Sequence, residues 1–210
     1  MATLPYPPLA LIADRFTVSA RVERVLSAVQ AGVRWVHLRD HTVSPDRFKQ
    51  AAHVLIERLR STEPAVAISV NTHLSTAEAE ETGIHLGWRG PSVTTARSAL
   101  GADALIGYSA HEQVDARSDR TRAVDYYFFS PVFPTASKPD HPAAGVPALR
   151  DFCEAAPVPV VALGGITPER VDACMQAGAR GLAVLSGIME AEAPVAATRA
   201  YLRALAATTE

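Results

Sequence analysis

The chain has 210 residues, 48% of them hydrophobic and 20% charged, with a formal net charge of −2. That length suits one domain with a sizeable core, and the near-neutral charge argues against a nucleic-acid partner. No apolar run approaches the roughly 18 residues of a membrane span, and the N-terminal stretch MATLPYPPLALIADRF has no basic leader, so a cytoplasmic location is expected.

Short apolar runs rich in Val, Ile and aromatics recur along the chain, at 9–13, 35–38, 66–70, 83–86, 104–109, 125–130, 158–163 and 181–186. These predict strands. Helical spacing lies between most of them. Val22, Val25, Leu26 and Val29 form one apolar stripe, and Phe48, Ala52, Leu55, Ile56 and Leu59 form another. Ser44-Pro45 and Thr167-Pro168 read as N-caps followed by a first-turn proline. Gly32, Gly83 and Gly178 each follow a helical segment, where a left-handed residue is wanted. Cys153 and Cys174 sit among apolar residues and read as buried, reduced thiols.

Eight strands alternating with helices predict a parallel sheet closed into a (β/α)8 TIM barrel, a single domain over residues 1–210. A doubly wound open sheet is the rival. The stretch SPVFPTASKPDHPAAGVP after the sixth strand is long and proline-rich, and reads as a site loop rather than a domain boundary.

In such a barrel the chemistry sits at the C-terminal strand ends, and loops seven and eight often hold a phosphate. Gly164-Gly165 and Ser186-Gly187 close those two strands, and bare backbone there lets N–H groups approach an anion. Strand parity places Trp35, His37 and Arg39 inward, with Ser69 and Asn71, His85 and Gly87, and Gly107 and Ser109. Thr135, Ser137 and Lys138 in loop six add two hydroxyls and a cation. The expected ligand is a small phosphate ester.

The stretches VHLRD, GIHLG, LIGYSAH, DYYFFSPVFPTASK, PVVALGGIT and AGARGLAVLSGI resemble the thiamine-phosphate synthase/TenI family over nearly the whole chain. The resemblance implies a barrel fold and a role in thiamine biosynthesis. It places a thiazole phosphate near Gly165, Ser186 and Gly187, with Thr135 and Ser137 close by. It places a pyrimidine diphosphate near Arg39, Asn71 and Lys138, with Ser109 on the pyrimidine side. The synthase pattern has magnesium-binding aspartates after the strand-three Asn and after the strand-four HLG. Here those positions are Thr72 and Gly90, and the family's Gln and Lys around Arg39 are His37 and His41. Neither Thr nor Gly supplies the hard carboxylate oxygen that magnesium prefers.

These departures resemble the TenI branch. The leading expectation is therefore a metal-independent enzyme that tautomerises a thiazole phosphate. It would need no cofactor, with His37 as acid/base and His41 and His111 as further catalytic candidates. The TenI-type histidine in loop six is Pro131 here. One alternative is a synthase releasing pyrophosphate, which would use magnesium. Another is a non-catalytic binding protein for a thiamine precursor. His85 reads as a core residue, His53 and His141 as solvated, and His73 as a helix-start residue. The sequence leaves a homo-oligomer open.

Overall fold

The computed structural model describes residues 3–111, 123–135 and 142–208. Its eight parallel strands close in chain order, each hydrogen-bonded to the next and β8 back to β1. They are β1 Leu9–Ala13, β2 Trp35–Leu38, β3 Ala67–Asn71, β4 Gly83–Leu86, β5 Ile106–Ala110, β6 Tyr126–Phe129, β7 Val160–Leu163 and β8 Gly181–Val184. The open-sheet rival is excluded. Helices α1 Ser19–Gln30, α2 Pro45–Thr62, α3 Leu74–Ala79, α4 Val93–Leu100, α5 Gly145–Ala155, α6 Val171–Gln176, α7 Ser186–Met189 and α8 Pro194–Ala207 lie between and after the strands.

Side-chain alternation divides the core in two. Outward residues such as Val36, Leu38, Val70 and Ile84 pack under the helices with Val25, Phe48, Ile56 and Phe152. Inward residues Ala10, Trp35, Tyr126, Phe128, Val161 and Ala183 fill the barrel. Trp35 and Tyr126 have no solvent exposure and meet edge to face at 4.9 Å. Gly107 makes this packing possible, because a Cβ there would land on the Tyr126 ring.

Local signals resolve in different ways. Ser44 caps α2 by accepting from Arg47 N at 3.3 Å, with Pro45 in the first turn. Thr167 makes no side-chain cap, and Pro168–Arg170 is a single 3-10 turn ahead of α6. Gly32 and Gly178 adopt φ of 120° and 99°. Gly83 does not, since the left-handed residue ahead of β4 is Glu81 at φ 50°. Gly83 instead gives clearance, because a Cβ would lie 2.6 Å from the Leu105 carbonyl oxygen. Both cysteines are free, and burial pushes each thiol up to about 11, so neither is a ready nucleophile. Among the described residues, no helix is long and apolar enough to cross a membrane.

Candidate functional site

A cavity of about 140 Å³ opens among the C-terminal strand ends. Of the residues expected at the site, it is lined by His37, Arg39, Asn71, Ser109, Thr135, Gly164, Gly165, Ser186 and Gly187. His85, read from sequence as core, lines it too, as do Ile12, Phe128 and Leu163. Ser137 and Lys138 lie outside the described residues. His41 and His111, further acid/base candidates, are not among the described residues lining the cavity. His41 is an exposed loop residue, and His111 Nδ1 donates to the Ser130 carbonyl at 2.6 Å. That bond ties the end of β5 to loop six.

The glycine turns are held from below and from the side. Gly164 and Gly165 have φ of 101° and 63°, a conformation that costs a residue with a Cβ. Loop six rests on them, with Val132 N donating to Leu163 O and Phe133 N to Gly164 O, both at 3.0 Å. Arg170 donates to Gly165 O at 2.6 Å and lies over the Phe133 ring. Tyr201 of α8 donates to Ile166 O at 2.8 Å, and a Cβ on Gly187 would strike its hydroxyl. Tyr201 therefore clamps turn seven against turn eight, a link no sequence signal announced. The backbone N–H groups of Gly165, Ser186 and Gly187 find no acceptor among the described residues. Three unpaired donors beside a cavity suit an anion.

Arg39 and Asn71 enter from β2 and β3, with β3 diametrically opposite β7 in the eight-strand ring. Arg39 is half-buried, its backbone N–H donates to Ala13 O at 2.9 Å, and its guanidinium makes no hydrogen bond or ion pair among the described residues. Burial lowers its pKa, and nearby Asp14 partly offsets this. Asp14 is itself engaged by Arg15 and Arg21. A guanidinium held without a partner next to a cavity is a second anion-binding element.

The two cavity histidines are 1% exposed. Their rings meet edge to face at 5.2 Å, and Phe128 stacks on His85 at 4.2 Å. Burial, then Arg39, lowers the His37 pKa to about 3, and His85 is driven the same way by burial, His37 and Arg39. Both imidazoles are neutral and weakly basic at pH 7. This corrects the expectation that His37 titrates near neutrality. His73 stacks on Phe48 at 3.9 Å rather than capping α3 with its side chain.

The pattern matched by the family described as thiamine monophosphate synthase spans residues 9–188. The chain belongs to the thiamine-phosphate synthase/TenI family. The thiamine-phosphate synthase of Syntrophomonas wolfei is 36% identical over 187 residues, covering 87% of this chain and 88% of the relative. That of Salinibacter ruber is 39% identical over 145 residues, covering 68% of this chain and 64% of the relative. The fold is that of thiamine phosphate pyrophosphorylase from Pyrococcus furiosus, with a TM-score of 0.83, 24% identity and 96% of each chain covered. As a family member the chain falls within thiamine biosynthesis.

Family magnesium can be tested against the donors present. Thr72 and Gly90 adjoin, since a Cβ on Gly90 would lie 3.2 Å from Thr72 Cγ2. The fold thus brings together the two positions where the synthase pattern puts carboxylates, and this chain supplies none. The Thr72 hydroxyl is already donated to Asn71 O at 2.8 Å. Among the described residues no cluster of three His, Cys, Asp or Glu side chains could hold a metal. The described residues do not fit a protein-held magnesium ion.

Proposed function

We propose that this chain couples a pyrimidine diphosphate to a thiazole phosphate, releasing pyrophosphate. The observation that carries this reading is the pairing of two anion-binding elements across the barrel, beside two histidines whose basicity burial lowers. In the coupling, the thiazole ring nitrogen forms a bond to the pyrimidine methylene carbon. The carbon–oxygen bond to the diphosphate breaks, and its electron pair leaves with pyrophosphate. No proton has to be removed, so no general base is needed. Orientation and stabilisation of the departing charge do the catalytic work.

Gly165, Ser186 and Gly187 would hold the thiazole phosphate, with Thr135 beside them. Arg39 and the Asn71 amide would meet the diphosphate, and Ser109 the pyrimidine ring. Ser137 and Lys138 remain proposed partners on the same loop. No step is routed through magnesium, because the donor set here does not suit it.

The metal-independent tautomerase keeps one observation in its favour, the Thr72–Gly90 pair without carboxylates. It requires a proton carrier, and the burial of His37 opposes that role. The test is incubation of the protein with both substrates, with magnesium and with a chelator, measuring thiamine phosphate beside a control synthase. Product formation supports the coupling. Its absence in both conditions overturns the coupling, and turnover of a thiazole carboxylate phosphate would then establish the proton-transfer reading.

A further inference from the structure

Strands β1 and β2 run in register, with Ala10 opposite Trp35 and Ile12 opposite His37, and these residues point into the barrel. The pairing continues past the strand ends, where Arg39 N donates to Ala13 O at 2.9 Å. The next position of the same parity is Asp14 after β1 and Arg39 after β2. Opposite charges so placed attract, and Asp14 acts on Arg39 strongly enough to raise its pKa against the effect of burial. No ion pair joins them, however. One Asp14 oxygen accepts from Arg21 Nη2, and the other accepts from Arg15 Nε at 3.1 Å.

Arg21 stands on α1 and is 8% exposed. Its Nη1 donates to Met189 O at 2.9 Å and to Glu190 Oε1 at 2.8 Å. Met189 is the last residue of α7, the helix that begins at Ser186 and Gly187. Arg15 closes the group with a 2.7 Å bond to Glu190 Oε1. Two carboxylates and two guanidiniums thus compensate one another, and Arg39 is left outside as a surplus cation. Arg21 Nε is buried with no acceptor among the described residues. For stability alone an apolar side chain would serve as well as a buried ion pair.

We propose that Arg21 is a positioning residue that holds the Asp14 carboxylate against α1 and so keeps the Arg39 guanidinium open to an incoming anion. Asp14 is the built-in competitor for Arg39, and Arg21 outbids it. The same side chain anchors the C-terminal end of α7, so one buried arginine supports both anion-binding elements. That the anion on Arg39 is a diphosphate rests on the coupling reaction proposed above; the separation of Asp14 from Arg39 does not.

The test is calorimetry with inorganic pyrophosphate on the native protein, Arg21→Met, Asp14→Asn and the double variant. Arg21→Met is expected to bind about fivefold more weakly, the scale of one partly exposed ion pair that the anion must displace. Adding Asp14→Asn is expected to restore the native affinity, because the released neighbour no longer carries a charge. An arginine that only braces the fold predicts the reverse, since the second lesion would add to the first. A double variant that fails to recover overturns the proposal. Arg21→Gln, which keeps a donor for Met189 O, takes the place of Arg21→Met if that variant does not fold. Asp14→Asn alone is expected to bind pyrophosphate at least as tightly as the native protein. Weaker binding overturns the proposal, because Asp14 would then assist Arg39 rather than compete for it.

A crystal structure of the Arg21→Met variant supplies an arm that needs no ligand. The Asp14 carboxylate is expected within about 4 Å of the Arg39 guanidinium, an ion pair that the native protein lacks among its described residues. A carboxylate that stays clear of Arg39 overturns the positioning role. A native protein that binds no pyrophosphate overturns the diphosphate assignment and the coupling reaction with it, and the place of Asp14 in the variant still decides the role of Arg21.

Discussion

Thr72 and Gly90 meet at the rim of the barrel, 3.2 Å separating Thr72 Cγ2 from the place a Gly90 Cβ would occupy. Thr72 holds φ at 58°, a left-handed conformation that a β-branched residue adopts at a cost and that Asp or Asn tolerates better. The double variant Thr72→Asp, Gly90→Asp is therefore expected to fold and to create a magnesium site. Magnesium should raise the melting temperature of the double variant and leave that of the native protein unmoved. Equal shifts in both would show that magnesium is held elsewhere.

Arg39→Ala is expected to weaken inorganic pyrophosphate binding about thirtyfold, corresponding to ~2 kcal/mol for one charge-assisted contact. Stability should hold or rise, because the variant removes a half-buried charge that has no ion-pair partner among the described residues. Calorimetry together with urea unfolding separates the two effects.

His37 sets a pH signature. Its folded pKa of about 3 lies below the ordinary 6.5, so the unfolded chain binds the extra proton first. The native advantage is fully present above pH 6.5 and drains as pH falls from there toward about 3. The slope is about 1.4 kcal/mol per pH unit for one group. His37→Asn should lose this slope relative to the native protein in urea melts across that window. The kcat/KM profile should show no limb from His37 between pH 6 and pH 8 as a consequence of the same displacement.

Gly165→Ala forces a side chain into φ 63° and brings its Cβ 2.8 Å from the Phe133 carbonyl oxygen. A loss of about 1–3 kcal/mol in stability is expected, with a raised KM for thiazole phosphate. Tyr201→Phe removes only the bond to Ile166 O and should cost about 1 kcal/mol. Its effect on KM should be the smaller of the two, which steady-state kinetics on both variants checks.

Strand parity was enough to bring His37, Arg39, Asn71 and Ser109 to one place, because side chains alternate strictly and each strand had an obvious outward face. The same rule was mute on DYYFFS. Both faces of β6 are buried, so its sequence is apolar throughout and gives no sign that Tyr126 and Phe128 point inward. His85 went unrecognised as a site residue for a related reason, since burial and function draw on the same inward position. Tyr201 reaches the phosphate turns from the final helix, a contact set by tertiary packing with no local trace. For His37 the sequence names the imidazole but does not report its desolvation or the proximity of Arg39, both of which lower its basicity.

The aromatic packing of Trp35 against Tyr126 makes the barrel a well with a sealed floor. Under the proposed coupling, two reactants and two products would share one doorway. Traffic through it is last in, first out: whatever binds against Phe128 enters before its neighbour and departs after it. Product-inhibition patterns in such a pore-less chamber should be those of ordered rather than random kinetics.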